Sequence, residues 1–151
     1  MPKAQFYSYK RRLPHWRLLG ATYFVTWRLA SGQSDLVPEE RTAVASALHH
    51  FDVQRYDLLA WVVMNDHVHV LVAARPDHRL QDILHSWKSF TAHAFARNGR
   101  QGAVWQDEYF DRVVRNEAEF VEKTQYMLNN PWKRWPELEE YPWVWAIGMG
   151  E

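Results

Sequence analysis

Two histidines stand two residues apart, His67 and His69, inside the apolar run "WVVMNDHVHVLV" (61–72). A hydrophobic strand has no need of them. Side chains alternate across a strand, so His67, His69 and Leu71 share one face and Val68, Val70 and Val72 the other. Neighbouring imidazoles on one face can chelate a single cation, whereas the plainer reading is a half-exposed strand with its polar residues outward. Chelation needs neutral rings, so it should weaken as pH falls through ~6.5. Tyr126 and Asn130 lie four residues apart, and so on one face of a helix. Packed over the open face of the sheet, that helix would aim both at the histidines. Asn130 offers an amide oxygen. Tyr126 offers a phenol able to act as a nucleophile, or serves as an ordinary core-edge tyrosine. Two imidazoles, one amide oxygen and open positions suit a catalytic divalent ion better than a closed structural site. Imidazole ligands by themselves fit Zn²⁺ as well as Mn²⁺.

Positioning these groups requires a sheet and a helix across it. "ATYFVTWRL" (21–29) is aromatic and β-branched and predicts a strand. Pro38, Glu39 and Glu40 suit a first helical turn, and Val44, Ala47, Leu48 and Phe51 follow at helical spacing. Residues 56–64 and 67–74 predict two strands joined at Asn65-Asp66 as a hairpin. Leu80, Ile83, Leu84, Trp87, Phe90, Ala94 and Phe95 make a helical stripe. "VWQDEYFDRVVR" (104–115) predicts a strand entered by a loop. Asn116 and Glu119 resemble a capping box opening a helix that stops near Pro131. Residues 132–151, dense in Pro and Trp, predict an irregular aromatic wrap. The first six elements follow the βαββαβ order of a ferredoxin-like α+β domain, an antiparallel sheet with two helices on one face. The extra C-terminal helix, which carries Tyr126, must lie elsewhere.

A chain of 151 residues with nine tryptophans and nearly half its residues apolar can bury a real core. The absence of cysteine excludes disulfides and thiolate metal sites. No apolar run approaches the ~20 residues of a membrane span, and the N-terminus is basic rather than signal-like. The expectation is a cytoplasmic protein with no membrane partner. Eighteen basic residues balance eighteen acidic ones, which argues against a generic nucleic-acid sponge. The charges are unevenly placed. A basic arm over 1–20, with Lys10, Arg11 and Arg12 beside Tyr7, Tyr9 and Trp16, would grip phosphates and stack on bases, or be a solvated tail.

The motifs "MNDHVHVLV", "WQDEYFDRVVR" and "QYMLNNP" together resemble the single-tyrosine HUH transposases, and within them the REP-associated tyrosine transposases. "WKSFTAHAF" (87–95) is similar to the family's lysine-bearing second helix, and "YMLNNP" (126–131) to its Tyr-x-x-x-Asn-Pro helix end. The similarity runs in order from residue 20 to 131, giving a catalytic domain over 21–131. It implies a ferredoxin-like fold, a Mg²⁺ or Mn²⁺ ion, and cleavage of single-stranded DNA near hairpins through a 5′-phosphotyrosine. Carried over residue by residue, His67, His69 and Asn130 hold the metal and Tyr126 is the nucleophile. Lys88, Arg112 and Arg115 are candidates for phosphate contacts, or solvated surface charges. The resemblance leaves open a monomer and a homodimer that exchanges tyrosine helices. Trp132 follows Pro131 where the family runs on toward a glycine, and the low net charge is unusual for the group.

Three rivals stay open. One is a domesticated, non-catalytic binder of DNA hairpins. The second is an RNA-binding ferredoxin-like module, although histidines stand where base-stacking aromatics would be wanted. The third is a metal-dependent phosphoesterase that uses water, with Tyr126 incidental.

Overall fold

The computed structural model describes residues 21–149. The basic arm of residues 1–20, with Lys10, Arg11 and Arg12, lies outside the described residues. Eight elements follow in order: β1 (Thr22–Arg28), α1 (Pro38–His50), β2 (Tyr56–Val63), β3 (His67–Ala74), α2 (Leu80–Arg97), β4 (Phe110–Val114), α3 (Glu117–Arg134) and β5 (Val144–Ala146). The strands form one sheet in the order β4-β1-β3-β2-β5, with every neighbouring pair antiparallel. Its first four strands and two helices make the expected ferredoxin-like unit.

Alternation in β3 divides the molecule into two cores. Val68, Val70 and Val72 join Val25, Trp27, Val44, Leu48, Leu84 and Trp87 between the sheet and helices α1 and α2. On the other face Phe24, Val62 and Leu71 meet Phe120, Met127, Leu128 and Trp132 of α3. A bulge at Leu58/Ala60 in β2 turns both Leu59 and Ala60 toward this second core. The phase of β3 is set at the hairpin. Met64 N–H donates to the His67 carbonyl at 2.8 Å, closing a two-residue loop at Asn65 and Asp66. Leu36 N–H donates to the Asn65 carbonyl and Leu29 N–H to that of Asp66, at 2.7 and 2.9 Å, so the loop is held from two sides.

Three expectations need correction. The predicted strand 104–115 is a strand only from Phe110. Trp105 turns into the first core, where its indole donates to Thr91 Oγ1 at 2.9 Å and meets Trp27 edge-on, and its backbone makes an isolated bridge to Leu29 just past β1. The last helix does not stop at Pro131 but continues to Arg134. An interior proline costs ~3 kcal/mol. The next residue, Trp132, is 1% exposed, and burying 150–250 Å² of tryptophan at ~25 cal/mol per Å² contributes roughly 4–6 kcal/mol, which outweighs that cost. Its indole donates to the Leu138 carbonyl at 2.8 Å. Finally, the C-terminal wrap contains a strand, β5, which pairs with β2 and covers a sheet edge.

Trp132 therefore closes the second core, and Trp132→Ala is expected to lower unfolding free energy by ~3–5 kcal/mol in denaturant titration. The neighbouring Lys133 is exposed, and Lys133→Ala should stay within ~0.5 kcal/mol. Equal losses in the two variants would mean that the helix end, not the tryptophan, carries the packing.

Candidate active site

β3 delivers His67 and His69 to the α3 face, opposite α1 and α2. Their rings lie 4.7 Å apart between centroids, at an interplanar angle of 76°. Each is fixed through Nδ1. His67 Nδ1 is 2.7 Å from Asp66 Oδ1, and His69 Nδ1 is 2.7 Å from Thr26 Oγ1, its cross-strand partner on β1. The Asp66 carboxylate can only accept, so His67 Nδ1 donates and its Nε2 keeps the lone pair; His69 presents Nε2 in the same way in the tautomer whose Nδ1 donates to the Thr26 hydroxyl. Imidazoles oriented by an acceptor on one nitrogen are the form in which histidine ligates metal.

Tyr126 lies on α3 above this pair. Its ring centroid is 5.6 Å from that of His69 and 6.2 Å from that of Phe24, which stacks on His69 at 5.3 Å. The helix packs on the sheet of its own chain, so tyrosine and histidines meet within one molecule. Tyr126 is 43% exposed, leaving the phenol open to a large substrate. Asn130 follows one turn later and is half-buried. Among the described residues no three His, Asp or Glu side chains gather to hold a metal. The donors that the fold brings together on this face are the two imidazoles, and the amide oxygen of Asn130 is the third one expected from the sequence.

Burial holds both imidazoles below their ordinary pKa. For His67 desolvation outweighs Asp66, which pulls the other way. For His69 desolvation leads, followed by the charges of His67, Arg28 and Lys123, and its pKa is pushed down to about 3. His69 is therefore neutral in the fold well below the ~6.5 at which proton competition was expected, and His67 is shifted in the same direction. The unfolded rings take up protons near pH 6.5 and the folded rings do not, so stability is complete above that pH and falls as pH drops toward 3. We expect the melting temperature to decline from pH 6.5 to 4.5, and His69→Asn to flatten that decline. An unchanged slope in the variant would place the acid sensitivity elsewhere.

The remaining sequence candidates are placed differently. Lys88 is on α2, on the other side of the sheet, and its ammonium donates to the carbonyls of Gln106 and Asp107 at 2.7 and 3.1 Å. It ties the lead-in of β4 to α2 and is not beside the histidines. Arg112 faces α3 as the cross-strand partner of Phe24, but its guanidinium pairs with Glu119 at 3.0 Å. Arg115 is exposed, with its backbone N–H held by Glu119 at 2.8 Å. The expected capping arrangement at α3 is realised in part. Asn116 Oδ1 accepts from Glu119 N–H, while the Glu119 carboxylate reaches Arg115 and Arg112 instead of Asn116.

Three cations that sequence reading did not assign to the site border it. Arg28 is the cross-strand partner of His67. Lys123, three residues before Tyr126, holds its ammonium 5.2 Å from the Phe24 ring. Lys133 lies 5.9 Å from the Tyr126 ring. Alternation along β1 places Phe24, Thr26 and Arg28 on one face, but only the register with β3 shows that this face is the histidine face.

A family model described as "Transposase IS200 like" matches residues 33–130. The chain is similar to a REP-associated tyrosine transposase of Escherichia coli (strain K12), 24% identical over 119 residues that span 76% of this chain and 68% of that protein. It also superposes on a solved REP-associated tyrosine transposase bound to a REP hairpin, with a TM-score of 0.70 at 20% identity, over 89% of this chain and 82% of the other.

Proposed function

The chain belongs to the IS200-like transposase family, and from that premise we propose that it is a single-stranded DNA transesterase that cuts near hairpins through a 5′-phosphotyrosine at Tyr126. The observation that carries this reading is the Tyr126 ring set against His69 within one chain, beside a second imidazole also oriented through Nδ1. The hairpin enters the proposal through the solved neighbour, which is bound to one.

In the proposed reaction the Tyr126 phenol oxygen attacks the scissile phosphorus. The bond to the 3′-oxygen breaks, and the phenolic proton is lost as the departing oxygen is protonated. The 5′-phosphate stays on tyrosine and the other strand end carries a free 3′-hydroxyl. No water is consumed, so the same 3′-hydroxyl, or another, can reverse the step and join strands. A free phenol with a pKa of ~10 is a weak nucleophile at neutral pH. His67, His69 and Asn130 would hold Mg²⁺ or Mn²⁺, which when bound offsets developing negative charge at the phosphate and leaving oxygen. Asp66 fixes His67 in the tautomer that presents Nε2, and Thr26 accepting from His69 Nδ1 would do the same for the second ring. Phe24 stacks on His69 and meets the edge of Tyr126, holding the spacing between helix and strand.

Labelling tests the polarity of this reaction. A hairpin oligonucleotide labelled at its 3′ end should transfer the label to protein that survives denaturation, in the presence of Mn²⁺. The same oligonucleotide labelled at its 5′ end should yield a free shortened strand. Label on protein from the 5′ end, or no protein-bound label with cleavage intact, would contradict the proposed chemistry.

A further inference from the structure

Two cations bracket the histidine pair on one face of the molecule. Arg28 pairs with His67 across β1 and β3, and Phe24, four residues earlier on the same face of β1, lies under the Lys123 ammonium. Four residues of strand span ~13 Å at ~3.3 Å per residue. His69 and the Tyr126 ring lie between these ends. Three other cations are neutralised by carboxylates: Arg112 by Glu119, Arg75 by Asp57 and Arg100 by Glu40. Arg28 and Lys123 have no carboxylate partner among the described residues. Two cations without a carboxylate partner beside two buried rings raise the local potential in a chain whose total charge balances. What such an arrangement lacks is an anion, and its length suits an extended one rather than a single phosphate.

We propose that Arg28 and Lys123 form a two-ended clamp that holds backbone phosphates of a single strand on either side of the scissile position, running the strand in the direction of β1 past the exposed edge of Tyr126. The clamp rests on the DNA-processing reading above. A stacked strand advances ~3.4 Å per nucleotide, so ~13 Å covers about four stacked nucleotides or fewer extended ones. The clamp therefore reads backbone and not sequence. It engages only the unpaired flank of a substrate, because its two ends lie along a strand running past the nucleophile.

Salt dependence of binding tests this directly. Each phosphate contact to a single strand contributes about −0.7 to the slope of log K against log[salt]. Binding is measured in the Tyr126→Phe background, so that no cleavage occurs and the result does not depend on the nucleophile. Two probes are used, a DNA hairpin with a single-stranded flank and the same hairpin without it. The slope for the flanked probe should be steeper by about 1.4, from two contacts at about 0.7 each. Arg28→Gln and Lys123→Met should each remove about half of that difference, and together all of it. Arg28→Lys should retain it, and Arg97→Ala, an exposed cation on α2, should leave it untouched. A flanked-probe slope that survives the double substitution, or no difference between the probes with the unsubstituted cations, would overturn the clamp. Covalent adduct formation without the slope change would sink the clamp alone. The slope change without an adduct from the wild-type protein would sink the tyrosine chemistry and leave the clamp standing.

Discussion

Tyr126→Phe is expected to abolish the covalent protein–DNA adduct and to lower strand cleavage to background, a loss of order 10⁴-fold or more as for removal of a nucleophile elsewhere. The substitution deletes one oxygen and keeps the ring. The ring makes the contacts that matter to packing, edge-on to Phe24 and His69, and the residue is 43% exposed. Fold and melting temperature should therefore be unchanged. Hairpin binding should persist, because phosphate contacts come from other side chains. Divalent-ion affinity should persist as well, with His67, His69 and Asn130 intact. A phosphoesterase that activates water would behave differently and would retain most cleavage in this variant. Robust cleavage by folded Tyr126→Phe protein would thus favour that reaction over the proposed one.

The histidines are expected to give the second large effect. His67→Ala and His69→Ala should each reduce Mn²⁺-dependent cleavage by ~10²–10³-fold, the rate equivalent of losing several kcal/mol of charge stabilisation. The two differ in their structural cost. The His67 side chain is 15% exposed and its loss leaves Asp66 free to solvent. His69 is 5% exposed, stacks on Phe24 and engages Thr26, so His69→Ala leaves a cavity and a buried hydroxyl without its partner. It should melt at a lower temperature, whereas His67→Ala should not. Cleavage at full rate in the folded His67→Ala protein would remove the imidazoles from the mechanism. Hairpin binding should be retained by both variants.

The site was legible in sequence to the extent that it is local. Alternation in "HVHVLV" put both imidazoles on the face away from the valines, and β3 has that phase because a two-residue turn fixes it. The four-residue spacing of Tyr126 and Asn130 placed them on one helical face, and α3 does cross the open side of the sheet. What was hidden depends on register between distant strands. Thr26 and Arg28 look like any residues of an aromatic strand until β1 is aligned with β3. Lys123 becomes part of the site only through Phe24, almost a hundred positions away. Lys88 appeared attractive because it lies in a family-like segment, yet its helix packs on the other face. The fold was misread where tertiary burial overrides local preference. Trp132 carries the helix past Pro131, Trp105 draws the chain out of the β4 ladder, and Val144–Ala146 is a strand because β2 offers it an edge.

Peptide mapping of the adduct identifies the nucleophile. Wild-type protein is incubated with a hairpin carrying a single-stranded flank in Mn²⁺, denatured, digested with nuclease and protease, and the residual nucleotide is located by mass spectrometry. The expected result is a single modified peptide with a 5′-linked deoxynucleotide on Tyr126. The same modification on another tyrosine, or efficient strand cleavage with no modified peptide, would contradict it.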